Sequence, residues 1–156
     1  MATLHHQVWI DAPAAKVYEG LSTAEGLGKW WAPHTSTQTE DGLVLAHSPG
    51  EAHGDVQMKV VDLTPPKRVE WEIISSHPKQ SPASAWTGTH IIFEIEARPS
   101  PGRWMGLENE GQPMTVLNFQ HSGWDDTSEF FGFCNYAWGV TLDMLRNWCE
   151  SDEDGD

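Results

Sequence analysis

The chain has 156 residues, with 9 Lys and Arg against 23 Asp and Glu, for a formal net charge of −14. That length suits one domain able to bury roughly two-thirds of its unfolded surface without a disulfide or metal staple. The charge excludes nucleic acid and anionic membrane surfaces, both of which are bound by clustered cations.

Along the chain, Leu4 to Asp11 alternates, with Leu4, His6, Val8 and Ile10 on one face, which predicts a strand with one buried side. Pro13 suits the first turn of a helix carrying Val17 and Leu21. Ser22-Thr23-Ala24-Glu25 reads as a capping box, so a second short helix runs from there toward Trp30-Trp31 and stops before Pro33. Asp41-Gly42 between Thr35–Thr39 and Leu43–His47 is a hairpin signal. Ser48 to Asp55 is a loop. Val56 to Leu63 is a strand with Val56, Met58 and Val60 inward, and Arg68 to Ile74 another with Val69, Trp71 and Ile73 inward. A polar loop, Ser75 to Thr89, precedes a strand from His90 to Arg98 with Ile91, Phe93 and Ile95 on one face. A Pro/Gly-rich connection, Pro99 to Pro113, leads to a strand from Met114 to His121 with Leu117, Phe119 and His121 inward. Phe130 to Glu150 has helical period, with Phe131, Cys134, Trp138, Leu142, Leu145 and Cys149 on one stripe.

The expected organisation is a single domain over residues 1–150 followed by a mobile acidic tail, 151–156. Sequential strands with one apolar face imply an antiparallel sheet, and the long helix must bury its stripe against it. The fold class is therefore α+β. No run reaches the ~18 apolar residues of a membrane span, and the first residues lack the pattern of a secretory signal, so a cytoplasmic protein without membrane insertion is expected. Cys134 and Cys149 fall in one helix, about 22 Å apart by its rise, too far to bond.

In Ile10-Asp11-Ala12-Pro13, Leu27-Gly28-Lys29-Trp30-Trp31-Ala32-Pro33, the segment Val60 to Trp71 with Pro65-Pro66-Lys67-Arg68, Phe93-Glu94-Ile95, and His121-Ser122-Gly123-Trp124 followed by the closing helix, the chain resembles the activator of heat-shock-protein-90 ATPase homologue-like family. That family belongs to the START/SRPBCC superfamily, which also holds birch-allergen and polyketide-cyclase relatives. The resemblance implies a helix-grip fold, with a curved antiparallel sheet around the C-terminal helix and a cleft between them. In relatives that cleft holds sterols, lipids, polyketides or plant metabolites, or the domain serves as a partner surface in co-chaperones. It implies no single activity.

Nine of the residues are Trp, and such rings either fill a core or line a space that something else fills. Met58, Trp71, Phe93 and Phe119 face inward from the strands, and Trp138 and Leu142 face them from the helix. Trp30 and Trp31 either flank the cleft entrance or seal their helix onto the sheet; adjacent residues of a helix do not point the same way. His121 ends the inward face of its strand. It is placed to bond a ligand or act as a general base, or else is a satisfied histidine at the turn into Ser122-Gly123. These nine residues are the candidate ligand-binding set.

No catalytic set and no metal site are expected. His5 and His6 point to opposite faces, while His47 and His53 flank a loop without metal-ligand spacing. No glycine-rich nucleotide loop and no Gly-x-Ser-x-Gly occurs, so no cofactor is expected. Trp104, Met105 and Leu107 stand in the Pro99–Pro113 connection, as a lid, a partner contact or the pins of their own loop. The leading expectation is a module that binds a small apolar molecule between sheet and helix. A protein-interaction module using the Trp104 loop comes second. An enzyme with His121 as base comes last, because no second catalytic group accompanies it.

Overall fold

The structure, a computed structural model, describes residues 1–151; the acidic tail expected to be mobile lies, beyond Ser151, outside the described residues. The chain runs β1 (Ala2–Ile10), α1 (Ala14–Ser22), α2 (Ala24–Trp30), β2 (Thr35–Thr39), β3 (Gly42–His47), β4 (Val56–Thr64), β5 (Arg68–Ile73), β6 (His90–Pro99), β7 (Pro113–Trp124) and α3 (Phe131–Glu150). All seven strands form one curved antiparallel sheet in the order β1-β7-β6-β5-β4-β3-β2. From β2 to β7, each strand pairs with its chain neighbour, and β1 closes the far edge on β7. Helix α3 lies on the inner face, with Cys134, Trp138, Leu142, Leu145, Trp148 and Cys149 buried, so its predicted stripe is the one it uses.

Two local details depart from the sequence reading. The cap of α2 is Thr23, whose Oγ1 accepts from the Gly26 N–H at 2.9 Å, while Ser22 closes α1. The bend between the two helices is tight enough that a methyl group at Gly26 would collide with the Glu19 carbonyl oxygen. In β4 the register slips between Val60 and Asp62, so the alternation that puts Val56 and Met58 in the core leaves Val60 half-buried and Val61 exposed. One extra residue in a strand does this without breaking the sheet.

The two long connections behave differently. Ser75–Thr89 is tied down by polar side chains. Ser75 Oγ accepts from the Gln57 N–H at 2.9 Å and meets His77 Nε2 at 2.8 Å; His77 Nδ1–H donates to the His53 carbonyl at 2.7 Å, and His53 Nδ1 meets Ser81 Oγ at 2.7 Å. These bonds join the 48–55 and 75–81 loops and leave Trp86 packed inward on Trp138. The 99–113 connection is held by its own backbone, through Ser100 N–H to the Gln112 carbonyl and Gly111 N–H to the Ser100 carbonyl. It leaves Trp104 91% exposed. Seven steps of the β6–β7 ladder, from Ile91↔His121 to Arg98↔Met114, separate it from His121, about 23 Å of strand. It is therefore not a lid over that end of the sheet.

Candidate functional site

The space between sheet and α3 is occupied by rings. Trp71 on β5, Phe93 on β6 and Phe119 on β7 are buried on adjacent strands. Their centroids are 5.0 Å (Trp71–Phe93) and 5.5 Å (Phe93–Phe119) apart, and Phe119 meets Trp138 of α3 at 4.6 Å. Trp31 closes the circuit, 5.6 Å from Trp138 and 6.5 Å from Trp71. Met58 and Leu142 are fully buried core residues in the same cluster. The open cleft implied by the family resemblance is thus filled by the side chains expected to line it. Tilted and edge-on pairs at these distances are favourable beyond their buried area.

The adjacent tryptophans have different surroundings. Trp30 is buried, and its Nε1–H donates to the Gly20 carbonyl at 2.8 Å, so it seals α2 onto α1. Trp31 is the C-cap of α2, only partly buried, and its ring turns toward the sheet–helix seam. Beside it lies a small apolar slit of about 40 Å³ lined by Trp31, Trp86, Cys134, Ala137, Trp138 and Thr141. Trp86 stacks on Trp138 at 5.7 Å and its Nε1–H donates to Cys134 Sγ at 3.4 Å. A much larger groove, about 580 Å³, lies on the outer face of the sheet among Thr35, Thr37, Gln57, Lys59 and Glu72, away from every ring named here.

His121 has no exposed surface and both its nitrogens are engaged. Trp138 Nε1–H donates to Nδ1 at 3.1 Å, which leaves the proton on Nε2; that N–H donates to Thr89 Oγ1 at 2.7 Å, and the Thr89 hydroxyl donates to the Trp86 carbonyl. Burial pushes its pKa down to about 3. The residue is a neutral strut linking β7, the Trp86 loop and α3; its partners are the Thr89 and Trp138 side chains and not the backbone of the turn into Ser122-Gly123.

Trp31 also packs on two histidines that sequence spacing did not bring together. His34 lies 5.1 Å and His47 4.6 Å from its ring, and the two imidazoles are 4.5 Å apart. Burial, with help from His34 and His77, drives the His47 pKa down to about 4; burial lowers that of His34 too, against its bond to the Ala32 carbonyl. Among the described residues no group of three or more His, Cys, Asp or Glu is arranged to hold a metal ion. Both cysteines are free and buried, and burial raises their pKa, that of Cys149 to about 12.

Trp86 is the residue that sequence reasoning should have found. It is the one large apolar side chain between Ser75 and Thr89. The opposite face of α3 was legible too: Phe133, Tyr136, Val140 and Met144 follow helical spacing, yet are 57%, 73%, 50% and 39% exposed. No helix of the described chain is long and apolar enough to cross a membrane.

Comparison with known proteins agrees with this architecture. The family model described as Activator of Hsp90 ATPase homolog 1-like protein matches residues 11–150. A solution structure of the Aha1 dimer from Colwellia psychrerythraea is 30% identical over 96% of this chain and 97% of that one, with a TM-score of 0.68. Protein MLL2253 from Mesorhizobium loti (17% identity, 97% and 99% coverage, TM-score 0.70) and BH1534 from Bacillus halodurans (21%, 96% and 98%, 0.62) share the fold. No curated protein matches. The chain belongs to the Activator of Hsp90 ATPase homolog 1-like family of the START/SRPBCC superfamily, as a ligand-binding or interaction module.

Proposed function

We propose that the chain binds a small, mostly apolar molecule at the aromatic seam between α2, the Trp86 loop and α3. The guest enters by displacing the Trp31 indole. One observation carries this reading: Trp31 is the one partly exposed member of the five-ring circuit, and an apolar slit already separates it from Trp86. Trp31 and Trp138 are then the first contacts. Trp71, Phe93 and Phe119 form the platform behind them, Met58 and Leu142 the wall, and Trp30 and His121 hold the frame. A pocket for a drug-sized molecule needs some 300 Å³ or more, so opening is a requirement and not a detail.

Intrinsic fluorescence of the wild type and Trp31→Ala, titrated with flat apolar molecules, tests the proposal. Binding that quenches the wild type and tightens in the variant is the expected result. No response from either protein across such a panel overturns it.

A second reading rests on the exposed apolar face of α3. Phe133, Tyr136, Val140 and Met144 offer a helical stripe suited to a second copy of the chain, and the Colwellia relative is a dimer. Light scattering after size-exclusion chromatography tests it: a dimer that Tyr136→Lys with Val140→Glu converts to monomer supports the interface. A wild type that stays monomeric at high concentration removes it.

A further inference from the structure

Buried polar atoms in native proteins are nearly all paired, so clustered exceptions point to something that fits them. Among the described residues, four buried side-chain nitrogens lack a hydrogen-bond partner: His34 Nε2, His47 Nδ1, Trp71 Nε1 and Trp124 Nε1. Three of the four belong to rings packed around the single indole of Trp31, at 5.1, 4.6 and 6.5 Å between centroids. A ring face cannot donate to a lone pair and is only a weak acceptor for an N–H. The rings that carry these nitrogens surround the Trp31 indole, so a molecule in its place comes within their reach.

The hydrogen-bonding sense of those nitrogens is partly fixed. His34 Nδ1–H donates to the Ala32 carbonyl at 2.6 Å, so Nε2 presents a lone pair and asks for a donor. Trp71 Nε1 can only donate. His47 is buried and uncharged near neutral pH. A hydroxyl group both donates and accepts, and so matches this set. A carboxylate has no hydrogen for His34, and the net charge of −14 opposes it as well.

We infer that the place held by the Trp31 indole is the seat of a neutral, flat, hydroxyl-bearing aromatic molecule, stacked on Trp30 and Trp71 and tilted against Trp138 as the indole is, with its polar edge on the unpaired nitrogens of His34, His47 and Trp71. The inference rests on the proposed entrance at Trp31 and adds the chemical class of the guest.

The test titrates the full chain with 2-naphthol, naphthalene and 2-naphthoate at pH 7, observed by ligand NMR. The expected result is 2-naphthol binding about tenfold tighter than either of the others, the discrimination one well-made hydrogen bond gives. Trp31→Ala should bind 2-naphthol more tightly still. His34→Phe keeps a ring for stacking and removes the acceptor; in it the preference for naphthol over naphthalene should fall to within about threefold while naphthalene binding persists. His47→Gln serves as a second variant if His34→Phe does not fold. Equal binding of naphthol and naphthalene, or a preference untouched in both histidine variants, overturns the hydroxyl assignment and leaves the entrance standing. Binding of none of the three to wild type or Trp31→Ala overturns both.

Discussion

Acid should destabilise this protein through His121 before most carboxylates are protonated. In the folded chain the imidazole is buried, accepts from Trp138 Nε1–H and donates to Thr89 Oγ1, and its pKa falls to about 3. A second proton would have to sit on Nδ1, facing another N–H. In the unfolded chain the same ring titrates near ~6.5. Above that value both states are neutral and stability is whole. Below it the unfolded chain takes up a proton that the folded chain refuses, and stability falls at about 1.4 kcal/mol per pH unit until the folded form protonates near pH 3. At pH 5 the loss from this one residue is about 2 kcal/mol, a large part of a domain's usual ~5–15 kcal/mol. His47, depressed to about 4, adds a similar loss over nearly the same window. The assay is urea unfolding of wild type and His121→Gln at pH 7 and pH 5. Glutamine keeps one donor and one acceptor but does not titrate, while the carboxylates and His47 act alike in both proteins. The wild type should lose about 2 kcal/mol more than the variant between the two pH values. Parallel losses would falsify the account of His121 as a buried neutral strut.

Five further outcomes can be checked on the same footing. Gly26→Ala places a methyl against the Glu19 carbonyl and must push α1 from α2; a fall in urea midpoint worth roughly 2–4 kcal/mol is expected, and a change under ~0.5 kcal/mol would show that the bend is slack. Trp104→Ser touches a side chain 91% exposed and should leave the melting curve in place, within ~0.5 kcal/mol, whereas Phe119→Ala empties the middle of the ring circuit and should cost about 3–5 kcal/mol. Cys134 and Cys149 are buried with raised pKa values, so a thiol reagent at pH 8 should label them only as fast as the chain opens; rapid labelling of Cys149 in the native protein would contradict its burial. If α3 carries a dimer contact, Tyr136→Lys should change the mass in solution without changing the fluorescence response to naphthol, since Tyr136 is not among the residues lining the slit.

Alternation and helical period made the fold readable. Val69-Glu70-Trp71-Glu72-Ile73 can bury only one side, and Cys134, Trp138, Leu142 and Leu145 can face only one way. The errors are local, and each has a cause. Ser22 and Thr23 are both good caps, and only the geometry of the α1–α2 bend chooses Thr23. The β4 slip shows in the sequence only as a doubled valine, Val60-Val61, between Lys59 and Asp62, and alternation does not say which of the two turns inward. The site was half legible. Period placed Trp71, Phe93, Phe119 and Trp138 on the inner faces, but it cannot say whether inward rings leave a hole, because that depends on how far a sheet curves before its side chains meet. The His34–His47 contact was within reach: the hairpin signalled by Asp41-Gly42 pairs Thr35 with Ala46, and one step further out it sets His34 beside His47; what no local pattern gives is the Trp31 ring laid against both.

The packed interior sets terms for any guest. A tryptophan buries ~150–250 Å² when fully enclosed, and Trp31 is only partly so; at about 25 cal/mol per Å² its displacement costs roughly 2–4 kcal/mol. Displacing Trp71 or Phe119 instead would cost the whole of a buried ring and break the sheet–helix contact with it. The circuit therefore has one weak member, and it stands at the surface. A guest smaller than an indole cannot recover the lost area. One that is flat and of indole size or larger recovers it against Trp71 and Trp138, and each unpaired nitrogen it satisfies removes a further burial penalty of about 1–3 kcal/mol. Area thus decides whether a molecule enters, and the polar edge decides which one stays. Loss of Trp31 should raise affinity for all flat guests alike, while loss of the His34 acceptor should change only their ranking. Trp31→Ala and His34→Phe, measured separately and together with naphthol and naphthalene, should give effects that add within about 0.5 kcal/mol if the two terms are independent. A strong coupling would mean that the indole itself holds the histidines in place, and that the guest meets a site rearranged by its own arrival.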